Sequence, residues 1–200
     1  MILATLAPES SNHTWVARRY LALHSLEGAE LRLFEDFEQA FVALETDEVH
    51  AVLQLATLPS VGIAAYRLRG RIHLIDSFIS TSQPMALLSR NDVANPTQLG
   101  LLQHTCNFVD TTKWSKLILE SSCVAVGQGL LAGAYHAGVT LRRYAEENPD
   151  VLTIIEDIGL IDDAWLIWGR SPLPGDHFTA HPDSAAGLYF RRLGAPDFLH

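Results

Sequence analysis

Residues 2–24 read ILATLAPESSNHTWVARRYLALH, and this stretch decides the architecture. Residues 2–6 form a short apolar run, the length of a strand and too short for a core helix, so they read as a strand buried on both faces. Residues 8–13 (PESSNH) form a turn in which Ser10, Ser11 and Asn12 are good helix N-caps. Residues 14–24 then place Trp15, Ala17, Tyr20 and Leu21 at helical spacing. The order is strand, polar turn, helix. The free backbone N–H groups at such a helix start can hold a carboxylate or phosphate.

The alternation continues outward. Residues 31–34 read as a second strand, and 36–44 as a helix with Phe37, Ala40, Phe41 and Leu44 on one face. Residues 49–55 are a third strand. Residues 71–78 and 84–89 read as consecutive strands running into a second lobe, and 95–98 (NPTQ) as the start of a short helix. Residues 100–104 are a further strand. Residues 110–119 read as a helix through Trp114, Leu117 and Ile118, and 123–131 as a helix despite Gly127 and Gly129. A strand at 134–139, a helix at 141–147 stopped by Asn148-Pro149, and strands at 151–156 and 164–169 complete the series. Alternating strands and helices predict an α/β protein with a largely parallel, covered sheet.

Composition narrows the class. The 200 residues are 48% hydrophobic and 18% charged, ordinary for one domain or two small lobes. Fourteen Lys+Arg against 23 Asp+Glu give a net charge of -9, which disfavours nucleic acid and anionic membranes as partners. No apolar run approaches the length of a membrane span. The apolar start has no basic n-region and is cut off by Pro8-Glu9, so it is not read as a signal peptide. Cys106 and Cys123 make no disulfide framework, and a reducing, cytoplasmic setting is expected. Residues 171–200, with Leu188, Tyr189, Phe190 and Leu193 as anchors, are expected to pack on the body as a tail or to serve a homodimer contact.

No nucleotide loop, Walker loop or nucleophile elbow is present, and no cofactor is expected. His177 and His181 stand four apart, but Pro182 spoils a helical ligand pair, so no metal is expected either. Of nine histidines, His13 beside the first turn and His104 at a strand end are the candidates, because open α/β sheets bind ligands at the carboxyl ends of their strands. Thr57, the run Ser80-Thr81-Ser82, and Thr140 are hydroxyls at further strand ends. With Ser10 and Ser11 they outline a cleft that binds a small anion through hydroxyls and backbone N–H groups.

The order of segments resembles that of the prephenate dehydratases. Leu6-Ala-Pro-Glu-Ser-Ser11 is similar to the family's Gly-Pro-Glu-Gly-Thr start, and Phe34-Glu-Asp-Phe-Glu-Gln-Ala-Phe41 to its second strand and following helix. Leu102-Gln-His104 stands where the family has Ser-His-Pro, and Ser121-Ser122-Cys123 resembles its Ser-Ser-Thr helix start. Residues 133–140 and 163–169 match two later family strands. The resemblance covers about residues 2–170 and leaves no room for the family's regulatory domain. It implies a two-lobed, periplasmic-binding-protein-like (type 2) fold with a ligand cleft. Lobe 1 would comprise residues 1–77 and about 157–170, and lobe 2 residues 78–156. The departures are informative. Asp163 and Ala164 stand where dehydratases carry Thr-Arg, and Ala56-Thr57-Leu58 replaces Glu-Asn-Ser. Trp165 in the closing strand and Pro84-Met85 bring the chain nearer to the prephenate decarboxylases of antibiotic and peptide biosynthesis.

The resemblance therefore implies a lyase acting on prephenate or a similar carboxylated ring by non-aromatising decarboxylation. Ser10, Ser11, Thr105 and the helix starts would hold carboxylates, with Thr57, Thr81, Ser122, Thr140 and Trp165 also in the cleft. His104 or His13 would supply the proton, and a buried Asp163 would serve as an acid. Two other readings are a dehydratase-like enzyme on another carboxylated ring, as in tropolone-type antibiotic biosynthesis, and a non-catalytic small-anion-binding module.

Overall fold

The structure, a computed structural model, describes residues 1–26, 28–174, 188–189 and 191–192. The expectations for His177, His181, Phe190 and Leu193 lie outside these. Among the described residues up to 174, ten strands and four α-helices form two lobes. In chain order the strands are β1 (Ile2–Leu6), β2 (Glu30–Phe34), β3 (Ala51–Leu55), β4 (His73–Thr81), β5 (Met85–Arg90), β6 (Gln98–Leu101), β7 (Lys116–Leu119), β8 (Ala137–Leu141), β9 (Leu152–Gly159) and β10 (Asp162–Gly169). The helices are α1 (Asn12–Leu23), α2 (Phe37–Glu45), α3 (Cys123–Ala132) and α4 (Arg143–Glu147).

Each long helix starts where a side chain satisfies an otherwise orphaned N–H. Ser11 accepts from Thr14 N at 3.3 Å at the start of α1. Asp36 accepts from Gln39 N at 2.8 Å at the start of α2. Ser122 accepts from Ala125 N at 3.0 Å at the start of α3, whose end is closed by Gly133 at φ 77°.

Lobe 1 is a five-stranded sheet in the order β2-β1-β3-β10-β4, and lobe 2 a second one in the order β7-β6-β8-β5-β9. The sheets are mixed, which corrects the expectation of a largely parallel arrangement. Strands β1, β2 and β3 are mutually parallel, but β10 enters antiparallel between β3 and β4. In lobe 2, β5 runs antiparallel to both β8 and β9. In lobe 1 the reversal arises because the chain returns, as β10, at the end of the sheet from which β4 left it.

Two local readings also change. Residues 110–119 are not a helix: after a 3-10 turn at Thr111–Lys113 they form β7, which among the described strands pairs only with β6. Residues 95–97 are irregular backbone and not a helix start, and Gln98 begins β6.

The lobe 1 sheet is sandwiched. Val16, Ala17 and Leu21 of α1 pack on one face with Leu3, Leu53 and Trp165. Phe37, Phe41 and Leu44 of α2 pack on the other with Ala4, Val52 and Trp168. Lobe 2 has its own core, centred on Leu88, Leu99, Val126, Leu130, Tyr135 and Val139. No helix among the described residues is long and apolar enough to cross a membrane.

Gly127 and Gly129, whose spacing suits no nucleotide loop, have a packing role. A methyl group on Gly127 would overlap the ring of Tyr144, which α4 presses against α3. Gly127→Ala sets a helix-propensity gain of about 1 kcal/mol against an overpacking cost of about 1–3 kcal/mol. Tyr144 is buried and its hydroxyl donates to Val124 O at 3.3 Å, so the ring has little room to yield. The variant is expected to be less stable than wild type in urea titration; equal or higher stability would show that the ring relaxes.

Candidate functional site

The two chain crossings, Ser82–Gln83–Pro84 and Leu160–Ile161, run side by side. Ser82 N donates to Ile161 O at 2.7 Å, and Ile161 N donates to the Ser82 hydroxyl at 3.0 Å. Beside them the lobes are stitched directly. Gln83 N donates to Asn12 Oδ1 at 2.9 Å, Gln83 Nε2 to Ser10 O at 3.3 Å, and Arg143 Nη2 of α4 to Ser10 O at 3.1 Å. The turn that begins α1 is thus held from lobe 2.

Between the lobes lies a cavity of about 370 Å³, in the range of small-molecule sites. Lobe 1 contributes Leu6, Ala7, Ser11, Asn12, His13, Leu55, Thr57, Leu58 and Trp165. Lobe 2 contributes Met85, Leu102, His104, Thr105, Phe108 and residues 121–124, the crossings supply Ser82 and Ile161, and the start of β10 supplies Asp162 and Asp163. The first turns of α1 and α3 therefore meet the same space from opposite lobes, each offering backbone N–H groups and a positive dipole end. Among the described residues that line the cavity there is no lysine or arginine.

The ionisable groups respond to this setting. Burial draws His13 down to about 4, with the neighbouring His104 adding in the same direction. His104, at the exposed rim, is lowered by partial burial. Burial raises Asp163, and Asp162 beside it reinforces the shift. Burial also pushes the Cys123 thiol up to about 12, with Asp163 contributing. The imidazoles are thus held toward neutral, and the Asp163 carboxyl toward its protonated form.

Eight of the residues expected from sequence line the cavity: His13, His104, Asp163, Ser11, Thr57, Thr105, Ser122 and Trp165. Ser10, Thr81 and Thr140 do not line it. The Ser10 carbonyl binds the Gln83 and Arg143 side chains. Thr81 accepts from Arg19 at 3.4 Å, and buried Thr140 donates to Cys123 O. The hydroxyls of Ser11, Ser122 and Thr105 already serve local backbone groups, Thr105 through Leu102 N and O. The run Ser80-Thr81-Ser82 reaches the cavity through Ser82, whereas sequence reasoning did not single out Asp162, Phe108 or Cys123 for the site. The signal for Cys123 was present, since it follows the cap Ser122 on the helix start.

Two cavity residues carry polar atoms without partners. His13 Nε2 and Trp165 Nε1 are buried and make no hydrogen bond within the protein. Their rings meet edge to face, with centroids 5.2 Å apart at 83°. Among the described residues no group of three or more His, Cys, Asp or Glu is placed to hold a metal.

No protein-family model matches the sequence, and no curated protein matches it. Solved structures do resemble the fold. The prephenate dehydratase from Arthrobacter aurescens in complex with L-Phe superposes with a TM-score of 0.62 at 16% identity, over 94% of this chain and 70% of that one. The prephenate dehydratase from Staphylococcus aureus gives 0.58 at 13% identity, over 86% and 67%. The periplasmic VFT2 domain of Bordetella pertussis BvgS gives 0.51 at 13%, over 84% and 80%. At these identities the likeness is one of fold: the chain has the α/β, two-lobed, periplasmic-binding-protein type 2 architecture that prephenate dehydratases share with proteins of other function.

Proposed function

We propose that the chain is a prephenate dehydratase-like lyase that takes a small carboxylated ring in the interlobe cleft, and that it decarboxylates prephenate or a close relative without aromatising the ring, as a step of secondary-metabolite biosynthesis. The observation that carries this reading is the meeting of two helix N-termini, from α1 and α3, across one largely apolar cavity. Each is suited to one carboxylate of a dicarboxylated ring, and the apolar walls suit the ring itself. The likeness to two prephenate dehydratase structures supports the same substrate class.

In such a reaction the bond to the departing carboxylate breaks and releases carbon dioxide. Its electron pair forms a new double bond from that ring carbon to its neighbour, the pair of the neighbour's existing double bond shifts to the far carbon of that bond, and this carbon takes a proton while the ring hydroxyl stays. Asp163 is the proton donor that its setting favours, because burial keeps its carboxyl toward the protonated form. His104, exposed and lining the same cavity, is the group assigned to return that proton from solvent. The same Asp163 stands where dehydratases carry Thr-Arg, so the group that would assist loss of hydroxide is replaced by one that can protonate carbon.

A second reading is a binding module that kept the fold. It draws on the absence of lysine and arginine among the described lining residues, and on the likeness to the periplasmic VFT2 domain of BvgS. One experiment separates them: purified protein is mixed with prephenate at neutral pH, and ultraviolet absorbance and carbon dioxide are followed together. Carbon dioxide without phenylpyruvate is expected. Phenylpyruvate would mean that dehydration proceeds without Thr-Arg, and a rise in Tm without turnover would establish the binding module.

A further inference from the structure

We propose that His13 and Trp165 together read one uncharged oxygen of the ligand, a carbonyl or a hydroxyl, which rests on the cleft being the site of a small carboxylated substrate. The two nitrogens, His13 Nε2 and Trp165 Nε1, are the only buried side-chain nitrogen or oxygen atoms among the described residues that lack a hydrogen-bond partner. They belong to rings in edge-to-face contact, and both residues line the same cavity. Trp165 is wholly buried on β10, the strand between β3 and β4 in the lobe 1 sheet. Its counterpart Trp168, three residues on, donates to Gln54 Oε1 at 3.0 Å. The same sheet thus satisfies one indole from within and leaves the other, facing the cleft residues, without an acceptor. Buried donors are rarely left so, because the lost water bond is not replaced.

The oxygen is uncharged because nothing at this spot balances a charge. The indole is neutral, burial keeps the imidazole neutral, and no lysine or arginine is among the described lining residues. A carboxylate here would lose its water without a counter-charge, whereas the N-termini of α1 and α3 offer one a better place. A carbonyl oxygen accepts from the Trp165 N–H and, on its second lone pair, from His13 Nε2–H. A hydroxyl accepts from Trp165 and donates to His13 Nε2 in the other tautomer. The pair therefore selects an oxygenated side chain or ring over its deoxygenated counterpart.

Three acids that share a phenyl ring and a carboxylate test this: phenylpyruvate (carbonyl), 3-phenyllactate (hydroxyl) and 3-phenylpropanoate (neither). Binding is measured by Tm and by titration, and the indole N–H resonances are followed in 15N-labelled protein. The Trp165 resonance is assigned by its loss in Trp165→Phe or, if that variant does not fold, by elimination using Trp15→Phe, Trp114→Phe and Trp168→Phe. At least one oxygenated acid should bind about tenfold tighter than 3-phenylpropanoate and move the Trp165 resonance, which 3-phenylpropanoate leaves in place. The tighter of the two names the oxygen. Equal binding of all three, or binding with the Trp165 resonance unmoved, overturns the pairing and leaves the carboxylate site standing. No binding by any of them overturns both.

Discussion

Acidification from pH 7 to pH 4 should cost the fold roughly 3 kcal/mol through His13 alone. The imidazole of His13 titrates near 6.5 in an unfolded chain and near 4 in the folded one, because burial beside Trp165 and Phe37 disfavours its charged form and His104 adds to the effect. Between those two values the unfolded chain binds a proton that the folded chain refuses, so stability rises with pH across that window. The contribution is whole above pH 6.5 and is lost as the pH falls toward 4. Urea titrations at pH 7, 5.5 and 4 measure it, with His13→Phe as the reference because that ring keeps the aromatic contacts and cannot be protonated. Wild type should lose more stability than the variant over this range. Parallel losses in the two proteins would show that His13 reaches water when protonated, which would also remove the basis for its neutral state in the cleft.

Tyr135→Ala should destabilise lobe 2 by about 3–5 kcal/mol, the scale of removing a large buried aromatic side chain. Tyr135 is 1% exposed and lies in a slot made by two glycines. A methyl group on Gly100 of β6 or on Gly129 of α3 would overlap its ring or hydroxyl. The hydroxyl donates to Val126 O of α3 at 2.9 Å, so the side chain ties the helix to the sheet by packing and by a polar contact. Tyr135→Phe keeps the ring and should cost only about 1 kcal/mol, the usual worth of one hydrogen bond. Thermal melts of both variants test the division. A loss of under 1 kcal/mol in Tyr135→Ala would mean that α3 closes onto β6 and fills the slot.

Much of this architecture is legible in the amino-acid sequence, for identifiable reasons. All five residues of β3 are buried, and a run that is apolar apart from Gln54 marks a strand covered on both faces. The helices α1 and α2 carry both a periodic apolar face and a capping side chain at the expected place. β7 escaped because it is an edge strand with one neighbour and mostly exposed residues, while Trp114, Leu117 and Ile118 happen to fall at helical spacing. The antiparallel entry of β10 escaped because no local pattern records which strand a segment pairs with 110 residues away. At the site, the strand-end rule brought His13, His104 and Thr57 to the cavity. It could not separate a hydroxyl free for a ligand from one spent on a backbone, which is the position of Thr140. The unpartnered nitrogens of His13 and Trp165 depend on two segments 152 residues apart in the chain and are visible only in three dimensions.

The insertion of β10 between β3 and β4 also orders events during synthesis. Among the described strands, β4 has no neighbour in its sheet other than β10. A nascent chain that has emerged as far as Leu160 holds every strand of the β5–β9 sheet, yet its earlier sheet still has an open gap beside β3. Domains tend to fold as units as they leave the ribosome. Here the unit begun second can close first, and the first must wait, its long β4 hydrogen-bonding edge exposed, until Gly169 has been made. Assembly of the cleft is therefore tied to the last described strand, and a chain halted at the second crossing would display β3 and β4 as two unpaired edges open to association.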